Sequence, residues 1–188
     1  GIAGHAEGIS TFGKHMSHAE GDRTTAGAIV GDVIDGTTIT ESNIANYRAA
    51  HAEGLRTVAT GAGSHAEGGD TIASGRYSHA EGKKSTTGEI RTTASGEASH
   101  AEGVGTTASG YNSHSEGGIT TASGMHSHAE GYGTTASGKA SHAGGTSTIA
   151  QWDNSTVVGQ FNKTTDLSNT SSSPLFIVGN GTSETTRK

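Results

Sequence analysis

The stretch Ser99-His100-Ala101-Glu102-Gly103-Val104-Gly105-Thr106-Thr107-Ala108-Ser109-Gly110-Tyr111-Asn112 decides the fold, because Ser113-His114-Ser115-Glu116-Gly117 then begins it again. Fourteen residues return the chain to its starting point. Reading outward, His-Ala-Glu-Gly starts at His5, His18, His51, His65, His79, His100 and His128. The copy at His114 has Ser115 for Ala, and a decayed copy, His142-Ala143-Gly144, closes the series. Thr-Thr-Ala-Ser-Gly lies between them at 92–96, 106–110, 120–124 and 134–138, with looser copies at 57–61 and 71–75. A short fixed period is the signature of a repeat architecture and outranks other cues.

In a strand, successive side chains face opposite ways. In Ser-His-Ala-Glu-Gly, Ser, Ala and Gly then share one face and His and Glu the other. The Ala position is Ala or Ser in all nine copies, so this face packs where only small side chains fit. The closing Gly allows backbone angles that a two-residue turn needs. Each heptad predicts about five residues of strand and two of turn. The fold class is all-β: a parallel β-roll or solenoid of 14-residue coils over 1–150, followed by a short separate β region over 151–188. Recurring Gly with abundant Ser and Thr opposes a helix, and apolar a and d positions for a coiled coil are missing.

Two spacings break the period. From His18 to His51 is 33 residues. The excess, about 28–48, holds Ile29, Val30, Val33, Ile34, Ile39 and Ile44. It reads as a surface β-hairpin on its own coil, or as a clasp onto a neighbouring chain. From His79 to His100 is 21 residues, and the extra heptad 85–91 reads as a looped-out half-turn. Near 150 the composition shifts. Trp152 is followed by Thr156-Val157-Val158-Gly159-Gln160-Phe161 and, later, Leu175-Phe176-Ile177-Val178-Gly179.

Composition bounds function. The chain has 188 residues with 31 Gly, no Cys and a net charge of −6. Leu, Ile, Val and Phe together fall below roughly 20%, where disorder becomes an option, but the strict repeat argues against solvated coil. A monomer has little apolar surface for an ordinary core. Stability is therefore expected from stacked backbone hydrogen bonds and from association between chains. Mild acidity gives no nucleic-acid footprint. No apolar run reaches about 18 residues, so no membrane insertion by a helix is predicted. The chain opens within a repeat at Gly1 and stops at Lys188, which reads as a piece of a longer protein.

The pattern Ser-x-Ala-x-Gly with x-x-Ala-x-Gly every fourteen residues resembles the YadA-type head of trimeric autotransporter adhesins. The resemblance covers about 1–150 and implies a left-handed parallel β-roll, three chains about a threefold axis. Here His and Glu stand where that family usually has Val and Ile, on the pair that contributes to its apolar packing. Thr156–Asn162 and Leu175–Thr182 look like segments of bacteriophage tail-fibre and appendage proteins, where they precede a C-terminal chaperone that trimerises the fibre and cleaves itself off. The resemblances imply a rigid, receptor-contacting segment of a phage tail fibre or surface adhesin. It would sit on a virion tail or an extracellular or bacterial cell surface, with a surface receptor or glycan as partner.

The residues that carry this reading are His5, Glu7, His18, Glu20, His51, Glu53, His65, Glu67, His79, Glu81, His100, Glu102, His114, Glu116, His128, Glu130 and His142. Rungs of a parallel roll lie about 4.8 Å apart, so His stacks on His and Glu on Glu. A column of carboxylates repels itself, by about 4 kcal/mol per pair at 4 Å and an effective dielectric of 20. Protonated His, hydrogen bonds between His of one chain and Glu of the next, or a bound divalent metal ion are the available remedies. The expectation is an interchain His–Glu ladder. The alternatives are a metal-binding module on the same columns and a solvent-exposed ladder used for recognition. The outward Thr and Ser of the second heptad predict a hydroxyl column. It is most simply a solvated face, and an ice-binding solenoid would need it flat, unbroken and on a monomer. His15 and His126 lie outside the motif and read as surface residues. His and Glu recur identically along the array, whereas active sites are singular, so no enzyme is predicted. Acid should weaken a trimer held by such a ladder.

Overall fold

A computed structural model of the chain describes residues 4–14, 16–27, 33–34, 37–38, 49–162, 175–183 and 185–186. No helix occurs among them. Each coil contributes one strand to each of two parallel sheets. The first sheet carries the His-Ala-Glu-Gly strands: β1 (His5–Ile9), β3 (His18–Asp22), β7 (His51–Leu55), β9 (His65–Gly69), β11 (His79–Lys83), β13 (His100–Val104), β15 (His114–Ser115), β17 (His128–Ala129) and β19 (His142–Ala143). The second carries two-residue strands from β2 (Phe12–Gly13) to β20 (Ile149–Ala150). Register is homologous throughout, with His100 opposite His114 and Ala101 opposite Ser115. Thr93 lies opposite Thr107 and Ala94 opposite Ala108 in the other sheet. This is the parallel β-roll that the fourteen-residue period predicts.

The space between the sheets is filled by alanine. Ala52, Ala66, Ala80 and Ala101 from one sheet and Ala59, Ala73, Ala94 and Ala108 from the other are fully buried. The first Thr of each Thr-Thr pair is buried too, and those at 92, 120 and 134 hydrogen-bond to main chain. Thr120 Oγ1 donates to the Glu116 carbonyl at 3.0 Å, and Thr134 Oγ1 to that of Glu130 at 3.0 Å. From Ser64 to Ser141 the Ser before each motif His closes the preceding turn, as where Ser99 Oγ donates to the Gly96 carbonyl at 2.7 Å. Buried hydroxyls thus satisfy backbone groups that the short strands leave over.

Turn chemistry is shared between two positions. The strand-ending Gly has positive φ, +104° at Gly103. The residue two further on is also left-handed whatever its side chain: φ is 54° at Arg56, 59° at Asp70 and 55° at Ile119. Only the first of these was visible in the sequence. A β-branched Ile in this region is uncommon and strained; the fixed coil geometry imposes it.

The change near 150 alters the side chains without breaking the sheet. β21 (Thr156–Gln160) pairs with β19, and β22 (Phe176–Asn180) pairs with β21, both parallel. In place of a separate β region, the roll continues with Val157 where Ala stood, fully buried. Among the described residues the second sheet ends at β20, where Asn162 meets Ile149: its Nδ2 donates to the Ile149 carbonyl at 3.0 Å and its Oδ1 accepts from the Ile149 N–H at 2.7 Å.

The extra heptad loops out as expected: the ladder passes over it, pairing Ile72 with Thr93 and His79 with His100. Within 28–48, β5 (Val33–Ile34) and β6 (Thr37–Thr38) form an antiparallel pair. Whether that insertion packs on its own coil or clasps a neighbour lies outside the described residues.

Candidate functional site

The alternation that buries Ala turns His and Glu outward from the first sheet, in two adjacent columns. Imidazole centroids from His18 to His142 are 4.7–5.0 Å apart with planes within 13° of parallel, while His5 is tilted by 39° on His18. In the middle rungs each side chain keeps about a third of its surface exposed, for example 37% at His128 and 33% at Glu116, while Glu20 near the N-terminal end is 54% exposed.

Contacts between the columns fall into two kinds. Three histidines reach the Glu of the preceding rung at hydrogen-bond distance. Nε2 lies 3.3 Å from Oε1 for His100–Glu81, 3.0 Å for His128–Glu116 and 3.2 Å for His142–Glu130. Where the carboxylate is ionised it only accepts, so Nε2 carries the proton in those pairs. In the others the nearest oxygen is too far for a hydrogen bond: 3.6 Å for His51–Glu53, 3.7 Å for His79–Glu67 and 3.8 Å for His114–Glu102. Nε2 of His18, His51, His65, His79 and His114 is shielded from solvent and has no hydrogen-bond partner.

Electrostatics follow from this stacking. His51, His79 and His114 are held below the ordinary imidazole range, first by partial desolvation and then by the imidazoles above and below. Desolvation, then hydrogen bonds with the flanking carboxyls, push Glu67 and Glu102 up. At Glu81 and Glu116 desolvation also acts upward. It is outweighed by hydrogen bonds from Glu102, Glu67 and His100 at the former and from His128 and Glu102 at the latter, so both are lowered. At these rungs, imidazole charge does not cancel the carboxylate column at neutral pH.

The outward column of the second sheet runs Phe12, Thr25, Val58, Ile72, Thr93, Thr107, Thr121, Thr135, Ile149. Four apolar members break the hydroxyl array, which disfavours the flat, unbroken Thr face that ice binding needs. On the turns, Tyr77, Tyr111 and Met125 are exposed, and His126 meets Tyr111 edge-on with centroids 5.7 Å apart. His15 lies outside the described residues.

Two features went unread in the sequence. Arg56 grips Asp70 through Nε at 2.9 Å and Nη2 at 2.6 Å, which holds the Asp70 carboxyl below its usual range. Register also places Phe176 in line with Thr156 and His142, and Val178 in line with Val158. Phe176 and Val178 therefore continue the outward His and Glu columns. Aligning Val158-Gly159 and Val178-Gly179 with Glu-Gly would have found them.

A model of the YadA head domain repeat matches the chain in two copies, over residues 52–78 and 90–113. No curated protein and no solved structure matches it. The coil that recurs through the first sheet, with small residues inward and a displayed pair outward, includes these two segments, and over residues 52–78 and 90–113 the chain is similar to the YadA head domain repeat.

Proposed function

We propose that the chain is a rigid rod segment of a homotrimeric surface adhesin or phage tail fibre, with the first sheet of each copy facing its neighbours. The YadA head repeats support an adhesin-like module on an extracellular surface. One observation carries the assignment of the contact face. At their C-terminal end the His and Glu columns become Phe176 and Val178, which are 64% and 62% exposed in the single chain. Large apolar side chains displayed in line on a sheet call for a cover, and a second copy offers the same columns in the same order. His and Glu then form polar ladders between chains, and Phe176 and Val178 close the end of the contact. The exposed turn residues Tyr77, Tyr111 and Met125 are left free for a receptor or glycan.

Light scattering at neutral pH should give three times the 18.8 kDa chain mass. The double substitution Phe176→Glu and Val178→Glu should shift that mass towards one chain while preserving the β circular dichroism. A wild-type mass of one chain would falsify the proposal.

A further inference from the structure

We infer that the His–Glu columns bind divalent transition-metal ions at three places per chain: His51–Glu53–His65, His79–Glu81–His100 and His114–Glu116–His128. In each group one ligand atom per residue lies within 4.8 Å of the other two. A fourth such group, His100–Glu102–His114, shares a histidine with each of two others, so at most three can fill together.

Two observations converge. First, each of the three groups contains a solvent-shielded Nε2 with no hydrogen-bond partner: His51 and His65, His79, and His114. An orphaned buried nitrogen is costly unless something meets its lone pair. Second, distances across the columns suit a shared ion. On a tetrahedral zinc, His nitrogen and carboxylate oxygen stand about 3.4 Å apart, given bonds of about 2.0–2.2 Å. Within the three groups the His–Glu separations, 3.6 Å for His51–Glu53, 3.3 Å for His100–Glu81 and 3.0 Å for His128–Glu116, bracket that value, and the longest fails as a hydrogen bond.

Stacking also sets the stoichiometry. Parallel rings with centroids 4.8 Å apart must fan towards each other to reach one ion. Closing one gap opens the gaps on either side. Filled sites therefore alternate with empty ones along the column, leaving the middle group, His100–Glu102–His114, empty. Imidazole with carboxylate selects zinc, nickel or cobalt over magnesium or calcium.

The test uses the untagged chain, stripped with EDTA and dialysed against zinc or cobalt, with bound metal counted by mass spectrometry. We expect three ions per chain at saturation, cobalt ligand-field absorption, no competition from magnesium, and a rise in Tm that EDTA reverses. Glu53→Gln, Glu81→Gln and Glu116→Gln together should weaken uptake by roughly tenfold or more, while His142→Gln, outside the three groups, leaves it unchanged. Fewer than one ion per chain, or uptake that the triple variant retains, overturns the inference. Light scattering on the same samples separates this from the assembly proposal: a monomer loaded with three ions sinks the trimer alone, and a metal-free trimer sinks the metal site alone.

Discussion

At the scale of the residue, the roll is built on two demands for smallness that differ in severity. Inward Ala fills the gap between sheets, and a larger side chain there forces the sheets apart. Strand-ending Gly is under tighter constraint. A Cβ at Gly103 would sit 2.2 Å from the Gly117 carbonyl oxygen, on a residue with φ of +104°. Gly103→Ala should therefore destabilise the chain by about 3 kcal/mol or more, combining overpacking against backbone with strain. Gly69→Ala is the control, because its Cβ meets only Lys83 Cβ at 3.9 Å. It should change stability by less than about 0.5 kcal/mol. Urea unfolding of both variants measures the contrast, and equal losses would contradict this account of the glycine column.

At the scale of the element, the looped-out heptad shows how a solenoid absorbs an irregularity. Residues 85–91 leave the ladder, but Arg91 ties their exit to the roll. Its Nε donates to the Asp70 carbonyl at 2.9 Å and its Nη2 to the Arg56 carbonyl at 2.8 Å. At the entry, Lys84 pairs with Glu89. Arg91→Ala should release the loop: hydrogen exchange and proteolysis at 85–91 should accelerate while the flanking strands keep their protection. Unchanged exchange in the loop would show that Arg91 does not hold it. Side-chain periodicity made the strands, the buried Ala and the outward His and Glu legible in the sequence, since a period of two within a period of fourteen leaves one solution. The heptad was readable as an insertion for the same reason. Its anchoring was not, because Arg56, Asp70 and Arg91 occupy turn positions where the repeat imposes no residue type. Nor was the continuity through Val157, where the inward residue changes and only backbone register shows that the sheet goes on.

At the scale of the whole molecule, the column of imidazoles makes stability depend on pH. His51, His79 and His114 have folded-state affinities for protons below those of the unfolded chain. Their contribution is complete above the ordinary His value of about 6.5 and is lost as pH falls from there through the lowered folded values. Glu67 and Glu102 act in the opposite sense. Raised in the folded state, they favour folding more as pH falls through their folded values towards the ordinary Glu range. Tm should thus drop between pH 7 and pH 5.5; on further acidification the raised Glu67 and Glu102 are opposed by the lowered Glu81 and Glu116, whose contribution is lost as pH falls through their folded values. In an assembly closed over the ladders, the first phase should also lower the mass. Equal Tm at pH 7 and pH 5.5 would exclude the stacked column as a determinant of stability.

The homologous register carries a further consequence, for the route by which the chain folds. A strand that skips one coil and docks on the next meets His with His, Ala with Ala and Gly with Gly, as the correct partner would. Such an error loses one rung and leaves fourteen residues as a loop, and closure entropy grows only slowly with loop length. Mistakes of this sort lie close in energy to the native arrangement. What distinguishes the native state is therefore its punctuation: the 21-residue step at His79–His100, the tethered heptad within it, and the Asn162 amide that bonds to Ile149 of the second sheet. These give an otherwise self-similar lattice an origin from which its rungs are counted.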